Sequence, residues 1–152
     1  MGATAGIYPI SELSYQAGVR GDAESRSVSE IVAGVDIDKA WHAIHYLLTK
    51  NTSMFFLLTG QQIPGVSEHC EVHSPASVAQ LWAEVAGLTV QDLMINFDPE
   101  RFSAFNCYPG IWNDQQGHTD QGRGYLEQQL QRFLAALKEA AGNKLGLLVT
   151  IH

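Results

Sequence analysis

Hydrophobic residues recur along this chain with two different periods. Between Val35 and Thr49 the spacing is helical: Ile37, Ala40, Trp41, Ile44, Leu47 and Leu48 fall on one broad stripe. The pattern predicts a helix from Asp36 or Ile37 to Leu48, with Asp36 as its cap and Asp38 in its first turn, facing the positive end of the helix dipole. Leu126, Leu130, Phe133, Leu134 and Leu137 repeat in the same way and predict a helix from about Gly124 to Ala141. Gly142-Asn143 should close it, since both tolerate a left-handed backbone. Shorter helices start at recognisable caps. Ser74-Pro75 opens one that runs to about Ala86 with Val78, Leu81, Trp82 and Val85 inward. Thr89 opens another through Asn96, Asp98-Pro99 a third ending near Asn106, and Ser11 a short one to Ala17.

Strands show a different signature. Met54 to Thr59 and Leu145 to Ile151 are unbroken apolar runs of strand length, which suits strands covered on both faces. They are expected at the sheet centre. Thr4 to Ile10 reads as a further strand that Pro9 should end or place at an edge. Glu68 to His73 alternates and reads as a central or edge strand. Gly18 to Ser29, Gly60 to Gly65 and Cys107 to Gly124 have loop composition, and the last is long for a loop without a function. Strands near both termini with helices between them predict an α/β domain, bordering on α+β. Its expected parts are a small mixed sheet of about four strands and about five helices.

The chain length of 152 residues suits one domain able to bury a core without staples. The net charge of −7 and nine scattered Lys and Arg residues argue against a nucleic-acid partner. An acidic protein that meets a basic partner fits better. The N-terminus lacks a basic region followed by an apolar run, and no segment approaches membrane-spanning length. A cytoplasmic location is expected, with no membrane partner. Cys70 and Cys107 match no zinc or redox spacing. A disulfide between them stays open, but two buried thiols in a reducing compartment fit the missing export signal better.

Asp36-Ile-Asp-Lys-Ala-Trp41 followed by His45-Tyr-Leu-Leu-Thr49 resembles a segment of the YfbM-like proteins, a bacterial domain family of unknown function. Phe97-Asp-Pro99, Tyr108-Pro-Gly-Ile-Trp112, the closing Gly146 to Ile151, and Met1-Gly2 with Tyr8 are similar to further segments of that family. The loop 18–29 and the segment 68–73 match no part of it. The resemblance implies a single α/β domain and supplies no catalytic residue.

Candidate chemistry must therefore be read from the residues. His42 and His45 lie three apart on a helix and could share a metal with Asp38, or serve in acid–base work with it. The competing reading has His45 bonded to a backbone carbonyl and His42 solvated. His69, Glu71 and His73 would share one face of a strand, with Cys70 on the other. They form either a weak metal site or a polar, solvated edge. Asp36 and Asp38 form a carboxylate pair or, more simply, acids at a helix start. Tyr108 and Trp112 flank a Pro-Gly turn and could line a groove or cover the core. No nucleophile elbow and no phosphate-binding loop occurs. The favoured expectation is a non-enzymatic binding protein of inhibitor or immunity type, without cofactor, acting as a monomer or weak homodimer on another protein. The alternative is a metal-dependent or acid–base hydrolase using histidines 42–45 or 69–73. A third is an architectural subunit that dimerises through a sheet edge.

Overall fold

The computed structural model describes residues 3–20, 34–52, 56–64, 69–104, 107–108 and 119–152. Among these, five strands form one sheet and six helices pack on it. In chain order they are β1 (Ala5–Ile10), α1 (Glu12–Arg20), β2 (Val35–Asp38), α2 (Trp41–Asn51), β3 (Gln61–Gln62), β4 (His69–His73), α3 (Pro75–Val85), α4 (Val90–Met94), α5 (Pro99–Ala104), α6 (Thr119–Gly142) and β5 (Gly146–Ile151). The sheet order is β2-β1-β5-β4-β3 and every pairing is antiparallel. The expected α/β domain is present, and the antiparallel pairing sets it on the α+β side of that border.

Side-chain alternation divides the core in two. Ala5, Ile7, Leu147 and Val149 face the main core, which α2 to α6 cover with Ile44, Leu47, Leu81, Phe102, Leu130 and Phe133 among others. Ile10, Cys70, Val72 and Leu148 face the other way, with Ile63 and the Tyr15 ring of α1 against them. Cys70 and Cys107 are thus buried in different cores and are not joined by a disulfide. Burial pushes the Cys107 thiol up to about 12, so it stays protonated at neutral pH.

Pro9 lies in β1, second from the sheet edge. Thr4 and His152 exchange two backbone bonds, so even-numbered residues of this stretch bond toward β5 and odd ones toward β2. β2 pairs only with Ala5, Gly6 and Ile7. The proline nitrogen therefore points past the end of β2, where no ladder bond is lost.

Several expected boundaries move. The sheet is antiparallel, not mixed, and β3 lies inside the expected 60–65 loop. The helix expected from Asp36 starts at Trp41, and residues 35–38 are strand β2. Ile37 is fully buried on β2, and an inward position by itself does not separate strand from helix, which is why helical spacing misled there. Asp36 accepts from the Asp38 N–H at 2.6 Å, Asp38 turns to φ 50°, and the Ala40 N–H closes the turn on the Ile37 carbonyl. Of the run 54–59, the described residues 56–59 form a turn, not a central strand. Phe56 and Leu57 are buried, but Leu58 sits at φ 71° and both the N–H and the hydroxyl of Thr59 fold back onto the Phe56 carbonyl. The expected loops also shorten. Helix α1 continues through Arg20, and α6 starts at Thr119. Lys144, not Gly142 or Asn143, takes the left-handed position after α6. The caps were legible: Ser11, Ser74 and Thr89 each accept the N–H three residues on, and Asp98 accepts from Glu100 and Arg101.

No helix among the described residues is long and apolar enough to cross a membrane.

Candidate functional site

Alternation on β4 places His69, Glu71 and His73 on one face and Cys70 and Val72 on the other. The face is that of the main core, not a solvated edge, because β4 runs between β5 and β3. Glu71 is fully buried and His73 is 6% exposed. A buried carboxylate needs donors, and the turn at 56–60 supplies two. The Leu58 N–H donates to Oε1 at 2.8 Å and the Gly60 N–H donates to Oε2. Nε2 of His69 and of His73 approach the same Oε1 at 3.5 and 3.6 Å. Burial pushes the Glu71 acidity toward the neutral form. His73 and the two N–H donors outweigh that, so the carboxyl lies below the usual range and is ionised at neutral pH.

The apolar turn and the polar strand are thus tied together. Phe56 stacks on the His73 ring at 4.0 Å and meets Phe133 of α6 edge-on. Gly60 is required by close approach: a Cβ there would come within 2.7 Å of both Glu71 Oε2 and His73 Nε2. The left-handed Leu58 is held by its bond to Glu71, which offsets a strain of about 1–2 kcal/mol. Beside this tie a cavity of about 150 Å³ opens, lined by Tyr15, Thr59, Gly60, Gln61, His73 and Ser77 among others.

A second cluster gathers where α2 begins. Trp41 is half-buried, donates from Nε1 to the Ala3 carbonyl at 3.1 Å, and stacks with the rings of His42 and Tyr108 at 5.5 and 5.3 Å. His42 is not simply solvated: its Nδ1 accepts from the Tyr108 N–H at 3.0 Å. Asp38 accepts from the Tyr125 hydroxyl at 2.8 Å, and that hydroxyl accepts from the Lys39 N–H. Asp36 and Asp38 are therefore turn and tie residues, not helix caps. His45 buries its Nδ1 without a hydrogen-bond partner among the described residues. Burial lowers the basicity of His42 and of His45; His42 lowers His45 further, and the Glu71 charge partly opposes this.

The structure therefore brings His69, Glu71 and His73 together, and separately His42 with Tyr108. Asp38 is tied instead to Tyr125. No three His, Cys, Asp or Glu among the described residues are placed to hold a metal ion. Trp112 lies outside the described residues. Sequence reasoning missed Phe56, Leu58, Gly60 and Tyr125. Gly60 after an apolar run was the only local signal for the turn. Nothing local marks Tyr125, which is 87 residues from Asp38.

An antiparallel five-stranded sheet covered chiefly on one face, with its polar residues spent on tying turns to the sheet, defines a class by architecture, not by a reaction. The chain belongs to the family described as a domain of unknown function (DUF1877), whose model matches residues 10–150. A solved structure with the same fold is the protein of unknown function YfbM from Escherichia coli, at 13% identity and a TM-score of 0.69. That match covers 98% of this chain and 99% of YfbM. No curated protein matches the chain.

Proposed function

We propose that this chain is a non-catalytic binding protein of the cytoplasm, of inhibitor or immunity type, acting through contact with a basic protein. One observation carries the reading: the carboxylates of Asp36, Asp38 and Glu71 and the His42 ring are already committed. Glu71 holds two backbone N–H groups, Asp38 holds Tyr125, Asp36 holds the Asp38 N–H, and His42 holds the Tyr108 N–H. A carboxylate consumed by internal donors has little left for a substrate proton. The net charge of −7 favours a basic partner through electrostatic steering. The contact residues we favour are Tyr108, which is anchored on Trp41, and Trp112, which lies outside the described residues.

Immobilised protein should retain a basic protein from the native host at low salt, release it as salt rises, and lose it on Trp112→Ala. Retention of nothing, together with no effect of Trp112→Ala, ends this reading.

A second reading has one observation in its favour: His73 lines a cavity and has a carboxylate behind it. An acid–base hydrolase would then use His73 with Glu71. Turnover of ester, amide or phosphoester probes that disappears in His73→Gln would support it, and equal rates in the two proteins would remove it.

A further inference from the structure

We infer that His42 is an acid-released latch on Tyr108: its neutral ring holds the Tyr108 backbone beside Trp41, and on taking a proton it gives that backbone up. The use of such a latch rests on the partner-protein reading, in which Tyr108 is a contact residue. The latch itself does not rest on it and can be read in the free chain.

The Tyr108 backbone N–H donates to Nδ1 of His42 at 3.0 Å. Only a ring nitrogen without a proton can receive an N–H, so the neutral ring carries its proton on Nε2. A second proton must go to Nδ1. Two N–H groups then face each other where a donor met an acceptor, and the bond is lost, not merely weakened.

The neighbours decide what moves. Trp41 keeps its place, because its Nε1 donates to the Ala3 carbonyl and neither group titrates. Cys107 keeps its place too: its N–H donates to the Phe102 carbonyl of α5 at 2.8 Å, and the residue is 3% exposed. Tyr108 is thus the first residue beyond a fixed anchor. Its N–H is held by His42, and its ring stacks on Trp41 at 5.3 Å. His42 is half-buried, so a charged ring has a short way to water.

The direction follows from the surroundings. Burial lowers the basicity of His42. On α2, a charge on His42 opposes a charge on His45, while Glu71 of β4 favours one on His45. Asp38 and Lys39, in the turn before α2, meet Tyr125 of α6 through a carboxylate and a backbone N–H. The Trp41 face against the ring favours a cation, but stacking supplies no acceptor for the Tyr108 N–H. The latch is therefore closed above the ordinary histidine value of about 6.5. It opens as pH falls through the lower value of the folded chain.

The test is nitrogen-15 NMR on the full chain between about pH 8 and pH 5. At the alkaline end the His42 ring should show the tautomer with its proton on Nε2. On acidification the Tyr108 amide should lose its hydrogen-bonded shift along a curve with the same midpoint as the His42 ring, below the ordinary histidine value. Its protection from hydrogen exchange, relative to an unfolded chain at the same pH, should fall about five- to tenfold across that midpoint, the worth of one hydrogen bond. The Cys107 amide should keep its protection. His42→Asn sets a carbonyl oxygen near the place of Nδ1 and cannot titrate, so its Tyr108 amide should stay bonded throughout. A proton on Nδ1 at the alkaline end overturns the inference. So does a Tyr108 amide that does not follow the His42 ring, loss of Cys107 protection at the same midpoint, or an unchanged pH response in a folded His42→Asn protein. Should that variant not fold, the tautomer and the shared midpoint in the natural chain decide. Failure to retain a basic protein would remove the use of the latch and leave these titrations as they are.

Discussion

The tie at Glu71 and the aromatic ledge at Trp41 are built from similar residues and work differently. Both use histidine, an acid and an aromatic ring to fasten a turn. At Glu71 the acid is fully buried, carries its charge, and receives two backbone N–H groups. At Trp41 the parts are half-buried, and the ties are single bonds: Tyr108 N–H to His42, Tyr125 to Asp38, Trp41 to Ala3. Water competes at the second site and is excluded from the first. The same hydrogen bond should therefore count for more on β4 than on α2.

The sharpest way to break that contrast is to remove the buried acid. Glu71→Ala leaves the Leu58 and Gly60 N–H groups without an acceptor and releases the strained turn; it should cost about 3–5 kcal/mol in urea unfolding. A loss below 1 kcal/mol would mean that water enters and the two sites are alike. Gly60→Ala keeps the acid but drives a Cβ against Glu71 and His73. Its expected cost is about 1–3 kcal/mol, with the chemical shifts of residues 56–60 displaced. At the ledge, Tyr125→Phe deletes a hydroxyl that bonds both Asp38 and Lys39. The expected loss is about 1 kcal/mol, smaller than at Glu71 despite two bonds being removed in each case.

Acidification gives the smallest effect and tests both sites at once. His42 and His45 titrate lower in the folded chain than in the unfolded one, because burial disfavours their charged form. Between the ordinary histidine value of about 6.5 and their folded values, the unfolded chain binds more protons, so stability falls as pH drops. Glu71 is also lowered, so its contribution is present above the ordinary glutamate value of about 4.3 and is lost as pH falls through its folded value. The urea midpoint should decline below pH 6.5 and decline again below about pH 4.5. His45→Gln should flatten the first step, and Glu71→Gln should flatten the second while deepening the first, because the Glu71 charge partly supports protonated His45.

Legibility in the sequence followed the range of the interactions. The closing strand, the α3 and α6 stripes and the caps at Ser11, Ser74, Thr89 and Asp98 depend on neighbours within one or two turns, and they were read correctly. The face shared by His69, Glu71 and His73 follows from strand alternation alone. Its burial does not, because burial depends on β3 and β5 lying on either side of β4. Residues 54–59 looked like a central strand because a hydrophobic run states only that a segment is inside. Whether its N–H groups meet a ladder or a carboxylate 11 to 13 residues away is decided elsewhere. Ile37 shows the same ambiguity: its apolar side chain marks an inward position, whichever element carries it.

What the amino-acid order determined by itself is the set of inward-facing residues, the helix starts and the family resemblance, since each is written in local spacing. Only the tertiary structure decided which polar groups became ties, which turn replaced a strand, and where a cavity was left. Those outcomes rest on contacts between distant segments, such as Leu58 with Glu71, His42 with Tyr108 and Asp38 with Tyr125. A buried polar group takes whichever partner the packed chain brings to it, and local sequence carries no record of that choice.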